Sequence, residues 1–477
     1  MPRLPVRAAA LSLLLAACGT APRRGDTVLF ASGADLQSIN PLLTPHPLAH
    51  QVQRYVLLMT LVRYDTALVP TPYLARSWRW SADRRTLRWT LRTDVRWHDG
   101  APTVAADVVW TLDAARDPAT GYARLSELAA VSAVESPDDS TVDVRFSAPQ
   151  RGIPDLFTDL CILPRHLLAR VPHAELRTAD WNQAPVGNGP FRFVAHEANR
   201  RWVFQANAAF PAALGGPPGL ARFIVVVVDE PTTKLAALVS GELDVAGIQP
   251  AHASFVRRDP RLAVLDYPLL FSYSVVLNRT RPPFDRLAAR RAVALGVDRQ
   301  ELVDGFLYGF GTVAGGPVPP ALRGALPVPM IPYAPDSARG LAGGPLRFEL
   351  LTVGSGEAAL EQMVQSQLAR AGVQVRIRQL ELGAFLARVY GSRRDFDAAV
   401  LGVPGDPGLG YLTPLAAIGG PAPPLDPAAL QRYFADSMLV VPLYHARGLQ
   451  GINRRIAGVR MDARGELVTV HDWRVTR

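Results

Sequence analysis

Apolar and polar residues alternate with a period of two between residues 78 and 91, a pattern typical of β-strands that bury one face. Residues 81–86 supply the turn of the predicted hairpin. Its apolar positions are Trp78, Trp80, Leu87, Trp89 and Leu91. Arg88 and Arg92 fall on the opposite face. The interleaving of arginine with tryptophan therefore indicates a half-buried hairpin and not base stacking on single-stranded nucleic acid.

The segment His98-Asp99-Gly100 follows the hairpin and precedes a stretch of helical spacing that runs to residue 112. Gly100 permits a positive φ in a tight turn, and Thr103 stands where a helix N-cap is expected. A histidine beside an aspartate can serve catalysis or bind a metal. No further His, Cys or Glu cluster lies nearby at metal-ligand spacing, so the pattern favours a structural corner.

Two patterns nearer the amino terminus predict one element each. Residues 27–31 form an apolar run that predicts a buried strand, and residues 52–65 show helical spacing. At 477 residues the chain is too long for one ordinary core, which predicts two or three domains.

The first eighteen residues have the organisation of an export signal. Arg3 and Arg7 precede a ten-residue apolar region, 8–17, which rises about 15 Å as a helix against the roughly 30 Å of a bilayer core. The closing Leu-Ala-Ala-Cys resembles the lipobox of bacterial lipoproteins, in which the cysteine is lipidated. We therefore expect a signal peptide at 1–17, lipidation at Cys18, a tether at 18–26, and a cell-envelope protein anchored to the membrane.

The composition of the chain limits which classes of molecule we expect it to bind. The 51 Lys+Arg against 42 Asp+Glu give a net charge of +9, but the sequence holds one lysine, Lys234, and its arginines are scattered along the chain with no run of five or six. This distribution favours surface arginine over a nucleic-acid patch, so we expect no nucleic-acid partner. With Cys18 lipidated, only Cys161 remains, and no intramolecular disulfide is expected.

An exported hydrolase or metalloenzyme is the alternative from the enzyme class. The chain has no G-x-S-x-G elbow, no H-E-x-x-H helix, no phosphate-binding Walker loop and no paired cysteines. His46 and His50 have the spacing of a metal-binding pair, but Pro47 argues against a ligand-bearing helical turn there. We expect no enzymatic activity, no metal and no cofactor.

Several segments, in order over some 420 residues, resemble the family 5 solute-binding proteins of bacterial ABC importers. They are Asn40-Pro41, "PYLARSWRWSADRRTLRWTLRTDVRWHDGAPTVAADVVWTL" (72–112), "ILPRHLL" (162–168), "PVGNGPFRFV" (185–194), "LVSGELDVAG" (238–247), "ARRAVALGVDRQELVDGFLYGFG" (289–311) and "VVPLYHARGLQGI" (440–452).

The resemblance implies a mixed α/β fold of the two-lobed, type II periplasmic-binding-protein kind, with an extra domain inserted in the first lobe. Lobe I would comprise residues 27–50, 185–265 and 447–477. The insert would comprise 51–184, and lobe II 266–446, trimmed near 412–439.

The function implied is that of a monomeric receptor that captures a small solute, foremost a di- or oligopeptide, and delivers it to an ABC permease. In peptide receptors of the family, a loop aspartate binds the ligand's ammonium group. Asp406 matches that position, with Gly402 in the same loop; the alternative is a plain Gly-Asp-Pro turn with a solvated carboxylate. Tyr122, Gln249 and His46 match ligand-lining positions more loosely and can equally be packing or surface residues.

At some positions the sequence differs from the peptide receptors of the family, and these differences leave other classes of ligand possible. Pro404 lacks an N–H that a bound peptide strand would use, Pro45 falls in the early loop, and Val403 replaces the usual tryptophan. A nickel-chelate receptor, with His445 and Arg447 in its pocket, or a sugar receptor is the alternative on the same scaffold.

Overall fold

The computed structural model describes residues 25–44, 46–354, 357–391, 393–420 and 426–476. The predicted leader (1–17), Cys18 and most of the predicted tether (18–26) lie outside the described residues, as does Pro45. No helix within the described ranges combines the length and apolar character needed to cross a membrane.

The described strands, in chain order, are β1 (Thr27–Ser32), β2 (Val62–Tyr64), β3 (Pro70–Pro72), β4 (Ala75–Trp80), β5 (Thr86–Leu91), β6 (Val131–Asp138), β7 (Thr141–Phe146), β8 (Phe191–Glu197), β9 (Arg201–Ala206), β10 (Arg222–Val227), β11 (Val245–Gly247), β12 (Leu262–Leu277), β13 (Gly311–Val313), β14 (Leu346–Val353), β15 (Val373–Leu380), β16 (Ala398–Pro404), β17 (Val440–Asn453), β18 (Ile456–Ala457) and β19 (Arg474–Val475).

The α-helices are α1 (Pro47–Val52), α2 (Ala105–Arg116), α3 (Leu156–Asp159), α4 (Arg165–Leu168), α5 (Pro231–Ser240), α6 (Ala253–Arg258), α7 (Leu287–Leu295), α8 (Arg299–Gly305), α9 (Pro335–Ala342), α10 (Ala359–Arg370), α11 (Leu382–Val389), α12 (Leu412–Ile418) and α13 (Pro427–Ser437). A π-helical turn, Gln53–Leu57, directly follows α1.

The main sheet has the strand order β15-β14-β16-β12-β17-β11-β1-β10-β9-β8, with β13 beside β17. At one end β1 runs parallel to β10 and β11, and at the other β14 runs parallel to β15 and β16. Helices connect the parallel strands because such strands need long crossovers. The predicted mixed α/β class is therefore confirmed.

Two long strands, β12 and β17, join the two ends of this sheet. They pair antiparallel from Leu262 opposite Asn453 to Val276 opposite Val440. A strand of 16 residues is about three times the usual length, so β12 belongs to both ends. The predicted lobe boundaries, after residues 265 and 446, fall inside these two strands and stay predictions.

The predicted hairpin is confirmed as β4 and β5, in which Trp78 pairs with Trp89. Trp89 is fully buried, while Arg88 points outward to Asp143, with 2.6 Å between Nη2 and Oδ2. β4 and β5 belong to a four-stranded sheet with β6 and β7. At the turn, Arg84 adopts φ 59°, the left-handed conformation for which glycine is commonly used.

The corner after the hairpin has a structural role, because His98 is hydrogen-bonded to the backbone of a distant segment. His98 Nε2 donates to the carbonyl oxygen of Gly189 at 3.0 Å, and His98 Nδ1 accepts the N–H of Gly187 at 3.2 Å. Burial lowers the pKa of His98 to about 4, which keeps the ring neutral. Gly100 has φ 96°, as the predicted turn requires.

Two local predictions were wrong. The helical spacing at 52–65 does not give one helix: α1 ends at Val52, the π-helical turn ends at Leu57, and β2 begins at Val62. Thr103 does not cap α2 either. Val104 is the N-cap residue, and its N–H donates to Asp107 Oδ2 at 2.9 Å, because a buried carboxylate one turn into the helix does the capping.

Candidate functional site: the cleft between the two ends of the main sheet

The strand directions place a cleft between the two ends of the main sheet. Gly247, at the carboxyl end of β11, lies opposite Gln450 of β17, and Pro404, at the carboxyl end of β16, lies opposite Phe271 of β12. Both carboxyl ends therefore point toward the middle of β12 and β17. Ligands of open α/β sheets bind outside the carboxyl ends of strands. We call the space above residues 266–272 and 445–450 the interlobe cleft.

An irregularity in the β12–β17 pairing lies at the floor of this cleft. Pro268 pairs with Arg447 and Ser272 with His445, so β12 uses two more residues than β17 over the same distance. A bulge of this kind bends a strand and increases its twist. Arg447 also forms an ion pair with Asp266, 2.5 Å from Nε to Oδ1.

His445, a residue of the nickel-chelate alternative, is buried beside this bulge. Its Nδ1 lies 2.7 Å from Ser272 Oγ, and burial lowers its pKa to about 4. Within the described ranges, no group of three or more His, Cys, Asp and Glu side chains could hold a metal ion. His445 thus belongs to no such group in those ranges, and the nickel-chelate alternative, in which His445 and Arg447 hold a complex, stays a prediction.

Asp406 lies in the loop that follows β16 and is bonded to its own loop. Its Oδ1 accepts the N–H of Gly410 and its Oδ2 accepts the N–H of Tyr411, each at 3.0 Å. Such side-chain-to-backbone bonds stabilise turns. The geometry favours the alternative of a Gly-Asp-Pro turn, in which Asp406 shapes the loop, and its binding to a ligand ammonium stays a prediction.

The same loop contacts the predicted insert. The N–H of Gly408 donates to Asp155 Oδ2 at 2.7 Å, and the hydroxyl of Tyr64 donates to Asp155 Oδ1. Burial raises the pKa of Asp155, and the nearby negative charge of Asp406 raises it further. This contact joins the two sides of the cleft; we call it the Asp155 bridge.

Gly402 is exposed on β16 and lies under an aromatic ring. A β-carbon at Gly402 would lie 2.6 Å from two ring atoms of Phe271, closer than real side chains approach. The Phe271 ring lies tilted against Tyr273, with 5.4 Å between the ring centroids, and Tyr273 stacks on Tyr444 with 4.9 Å between centroids. Gly402 therefore permits an aromatic row at the lobe II edge of the cleft.

Tyr122 is buried against a cluster of charged side chains on the insert. Asp159 pairs with Arg54 at 2.6 Å and also with Arg124. Burial alone would raise the pKa of Asp159, but the two arginines outweigh it and lower the pKa. The charges of the cluster also act on Tyr122 and on His50. Tyr122 is thus held by the insert close to α1.

His46 is the N-cap of α1, where its Nδ1 accepts the N–H of Ala49 at 3.3 Å. Pro47 occupies the first helical turn, a position proline tolerates, so Pro47 does not prevent a helix between His46 and His50 as the sequence reasoning assumed. Gln249 is exposed two residues beyond the end of β11. The predicted lining residues are therefore distributed around the cleft and do not form one cluster.

Sequence reasoning missed a polar group at the lobe I edge of the cleft. Gln450 Nε2 donates to Glu466 Oε2 at 2.7 Å, and the Tyr267 side chain hydrogen-bonds the same carboxyl group. Burial raises the pKa of Glu466 to about 7. The positive charge of Lys234 acts on Glu466 and opposes this rise in pKa.

A family model described as bacterial extracellular solute-binding proteins, family 5, matches residues 69–416. A putative ABC transporter peptide-binding protein of Brucella abortus is 31% identical over 237 residues, 50% of this chain and 44% of that protein. The match thus spans less than half the length of that relative. A probable di/tripeptide-binding protein of Pseudomonas aeruginosa is 26% identical over 425 residues, 80% of this chain and 77% of that protein.

Solved structures share the fold. The oligopeptide-binding protein AppA of Bacillus subtilis, in complex with a nonapeptide, matches with a TM-score of 0.78 and 19% identity over 96% of this chain and 100% of that one. NikZ of Campylobacter jejuni, in complex with Ni(L-His), matches with a TM-score of 0.76 and 21% identity over 94% and 100%. The predicted two-lobed, type II binding-protein fold is confirmed. The chain belongs to the bacterial extracellular solute-binding proteins, family 5.

Proposed function

We propose that this protein is the receptor of an ABC importer, and that it binds a di- or oligopeptide in the interlobe cleft and delivers it to the permease. The observation that carries the proposal is the hinge itself. Two continuous strands, β12 and β17, join two lobes whose strand ends face each other, and the Asp155 bridge spans the opening. Such a molecule can enclose a solute and release it by a change of hinge angle.

Peptide is the favoured solute for two reasons. The Brucella and Pseudomonas relatives are named for peptide binding. The lobe I edge of the cleft also carries the carboxyl group of Glu466, which hydrogen-bonds Gln450 of β17. Carboxylates suit a ligand that carries an ammonium group.

The receptor would act without chemistry of its own, as a monomer at the membrane surface. Cleavage of the signal peptide and lipidation of Cys18 would tether it in the cell envelope. Replacing that residue (Cys18→Ser) should move the protein from the membrane fraction to the soluble fraction or leave the leader uncleaved. A processed protein that stays in the membrane fraction would contradict the anchor.

The test of the solute is mass spectrometry of small molecules released when the purified protein is denatured. Peptides in the released fraction, followed by calorimetric titration with the same peptides, would support the proposal. Release of a sugar or a nickel chelate, with no peptide retained, would contradict the peptide assignment and leave the receptor assignment intact.

A further inference from the structure

We infer that Glu466 and Gln450 form a subsite for a cationic N–H donor of the solute, foremost the α-ammonium group of a peptide. The inference rests on the proposed function and specifies which side chains recognise the charged end of the peptide. It differs from the expectation for Asp406, each of whose carboxylate oxygens accepts one N–H of its own loop.

The subsite lies where three parts of the chain meet. Tyr267 on β12 and Gln450 on β17 contribute side chains from the hinge, and Glu466 comes from the carboxyl-terminal segment. The ring of Tyr267 lies across Gly448, where a β-carbon would be 2.2 Å from a ring atom. This glycine lets the tyrosine lie flat on the hinge beside Gln450, so the hydroxyl and the amide converge on one carboxyl group.

The segment that carries Glu466 is fixed against the insert side of the cleft. Gln51 Nε2 and the Tyr55 hydroxyl donate to the Arg464 carbonyl oxygen, at 3.2 and 3.3 Å. Arg464 itself pairs with Asp462 at 2.6 Å, so its charge is neutralised away from Glu466. The backbone beside Glu466 is therefore held in place, and the Glu466 side chain is half-buried.

The hydrogen-bonded group of Tyr267, Gln450 and Glu466 has more hydrogen-bond acceptors than donors. Gln450 is 6% exposed, and its Oε1 has no hydrogen-bond partner among the described residues. The amide nitrogen of Gln450 already bonds Glu466, so the unpaired oxygen belongs to the same amide group that holds the carboxyl group. Lys234 acts on Glu466 only at a distance, since no ion pair within 4 Å joins Glu466 to a basic side chain in the described ranges. A carboxylate beside an unpaired amide oxygen matches a cation with several N–H donors.

Burial also gives the subsite a dependence on pH. The groups that face Glu466 are Tyr267 from β12, Gln450 from β17 and Lys234 from α5. Without a cation the pKa of Glu466 is about 7, so the carboxyl group is largely neutral at pH 5.5. A cationic solute needs the ionised form, and its affinity should therefore fall as the pH falls from 7.5 to 5.5.

The test uses a pooled library of di- and tripeptides, half with free amino termini and half N-acetylated, with arginine-containing members in both halves. The wild-type protein, Glu466→Gln and a matched surface control, Glu242→Gln, are incubated with the pool, and retained peptides are quantified by mass spectrometry. Free-amine peptides retained by the wild type and the control should lose about 100-fold in affinity with Glu466→Gln. Loss confined to arginine-containing peptides, whether free or N-acetylated, would assign the subsite to a guanidinium group instead of the ammonium group.

A second measurement guards against misfolding of the variant. The affinity of one retained free-amine peptide, measured by calorimetry, should fall about tenfold or more from pH 7.5 to 5.5 in the wild type and stay flat in Glu466→Gln. If the wild type retains free-amine peptides and Glu466→Gln retains them equally, the subsite is wrong while the proposed function stands. If the wild type retains no peptide at all, the proposed function fails and the inference fails with it.

Discussion

The His98 corner and the Glu466 subsite are both built around an ionisable group whose charged form burial disfavours. Burial lowers the pKa of His98 to about 4 and raises that of Glu466 to about 7. Both ring nitrogens of His98 have backbone partners, from Gly189 and Gly187. Beside Glu466, the Gln450 Oε1 atom has no hydrogen-bond partner among the described residues.

This contrast shows that a shifted pKa does not by itself mark a binding site. Structural and functional groups alike acquire shifted pKa values when they are buried. The distinguishing feature is whether the groups that hydrogen-bond the ionisable side chain have polar atoms left over. The partners of His98 are single backbone groups, whereas Gln450, the partner of Glu466, has a side-chain oxygen that can accept a donor from outside.

The largest expected effect is on the His98 corner. We expect His98→Ala to lower the free energy of unfolding by about 2–4 kcal/mol at pH 7, since it removes two hydrogen bonds and leaves the N–H of Gly187 without its acceptor. Denaturant unfolding measures this change, and peptide affinity should not change. His166→Ala, a more exposed histidine beside the same turn, is the control.

The pH dependence of the corner follows from the same pKa. The unfolded chain binds a proton on His98 near pH 6.5, but the folded chain does so only near pH 4. The stability that the neutral ring contributes is therefore present above about pH 6.5 and lost as the pH falls toward 4, up to about 3 kcal/mol. If the free energy of unfolding of His98→Ala falls between pH 6.5 and 4 as steeply as that of the wild type, protonation of His98 is not the cause of the loss.

The next effect concerns Glu466 in the unliganded protein and has the opposite sign. The usual pKa of 4.5 is raised to about 7, so ionisation of Glu466 destabilises the folded chain as the pH rises through 7. Glu466→Gln should therefore be more stable than the wild type by about 1–3 kcal/mol at pH 8, and equally stable near pH 4.5. Thermal unfolding at both pH values measures this, with Glu242→Gln as control. A loss of stability at pH 8 would show that Glu466 is already paired within the protein.

The smallest effect is expected at Asp406. Asp406→Asn keeps one oxygen for the loop N–H groups but places an amide nitrogen against the other, which should cost about 1 kcal/mol. The preference for free-amine peptides over acetylated ones should stay. Calorimetric titration of both kinds of peptide tests this, with the exposed Asp436→Asn as control. If Asp406→Asn no longer prefers free-amine peptides over acetylated ones, Asp406 is the residue that binds the ammonium group.

The sequence predicted those features that local patterns control. The period-two alternation gave the β4–β5 hairpin, and the position of Gly100 gave the turn of the corner. The spacing at 52–65 misled because Leu58 to Leu61 are buried without being helical. Helical spacing reports burial on one side, and a buried extended segment can imitate it over a few residues.

The candidate site was harder to predict because its members are far apart in sequence. Tyr267, Gln450 and Glu466 meet only after β12 and β17 have paired, and no local pattern records that pairing. The loop with Asp406 was found through resemblance, yet the bonds of its carboxylate to Gly410 and Tyr411 depend on a backbone conformation that residue types alone do not determine.

The single lysine of the sequence has a practical consequence. Lys234 is half-buried in α5, with its nitrogen beside Gly33 at the lobe I edge of the cleft. An amine-reactive fluorophore has one side-chain target in the whole chain, and that target stands at the mouth of the proposed site. Emission from a dye at Lys234 would then report occupancy and closure of the cleft in real time, without any introduced cysteine.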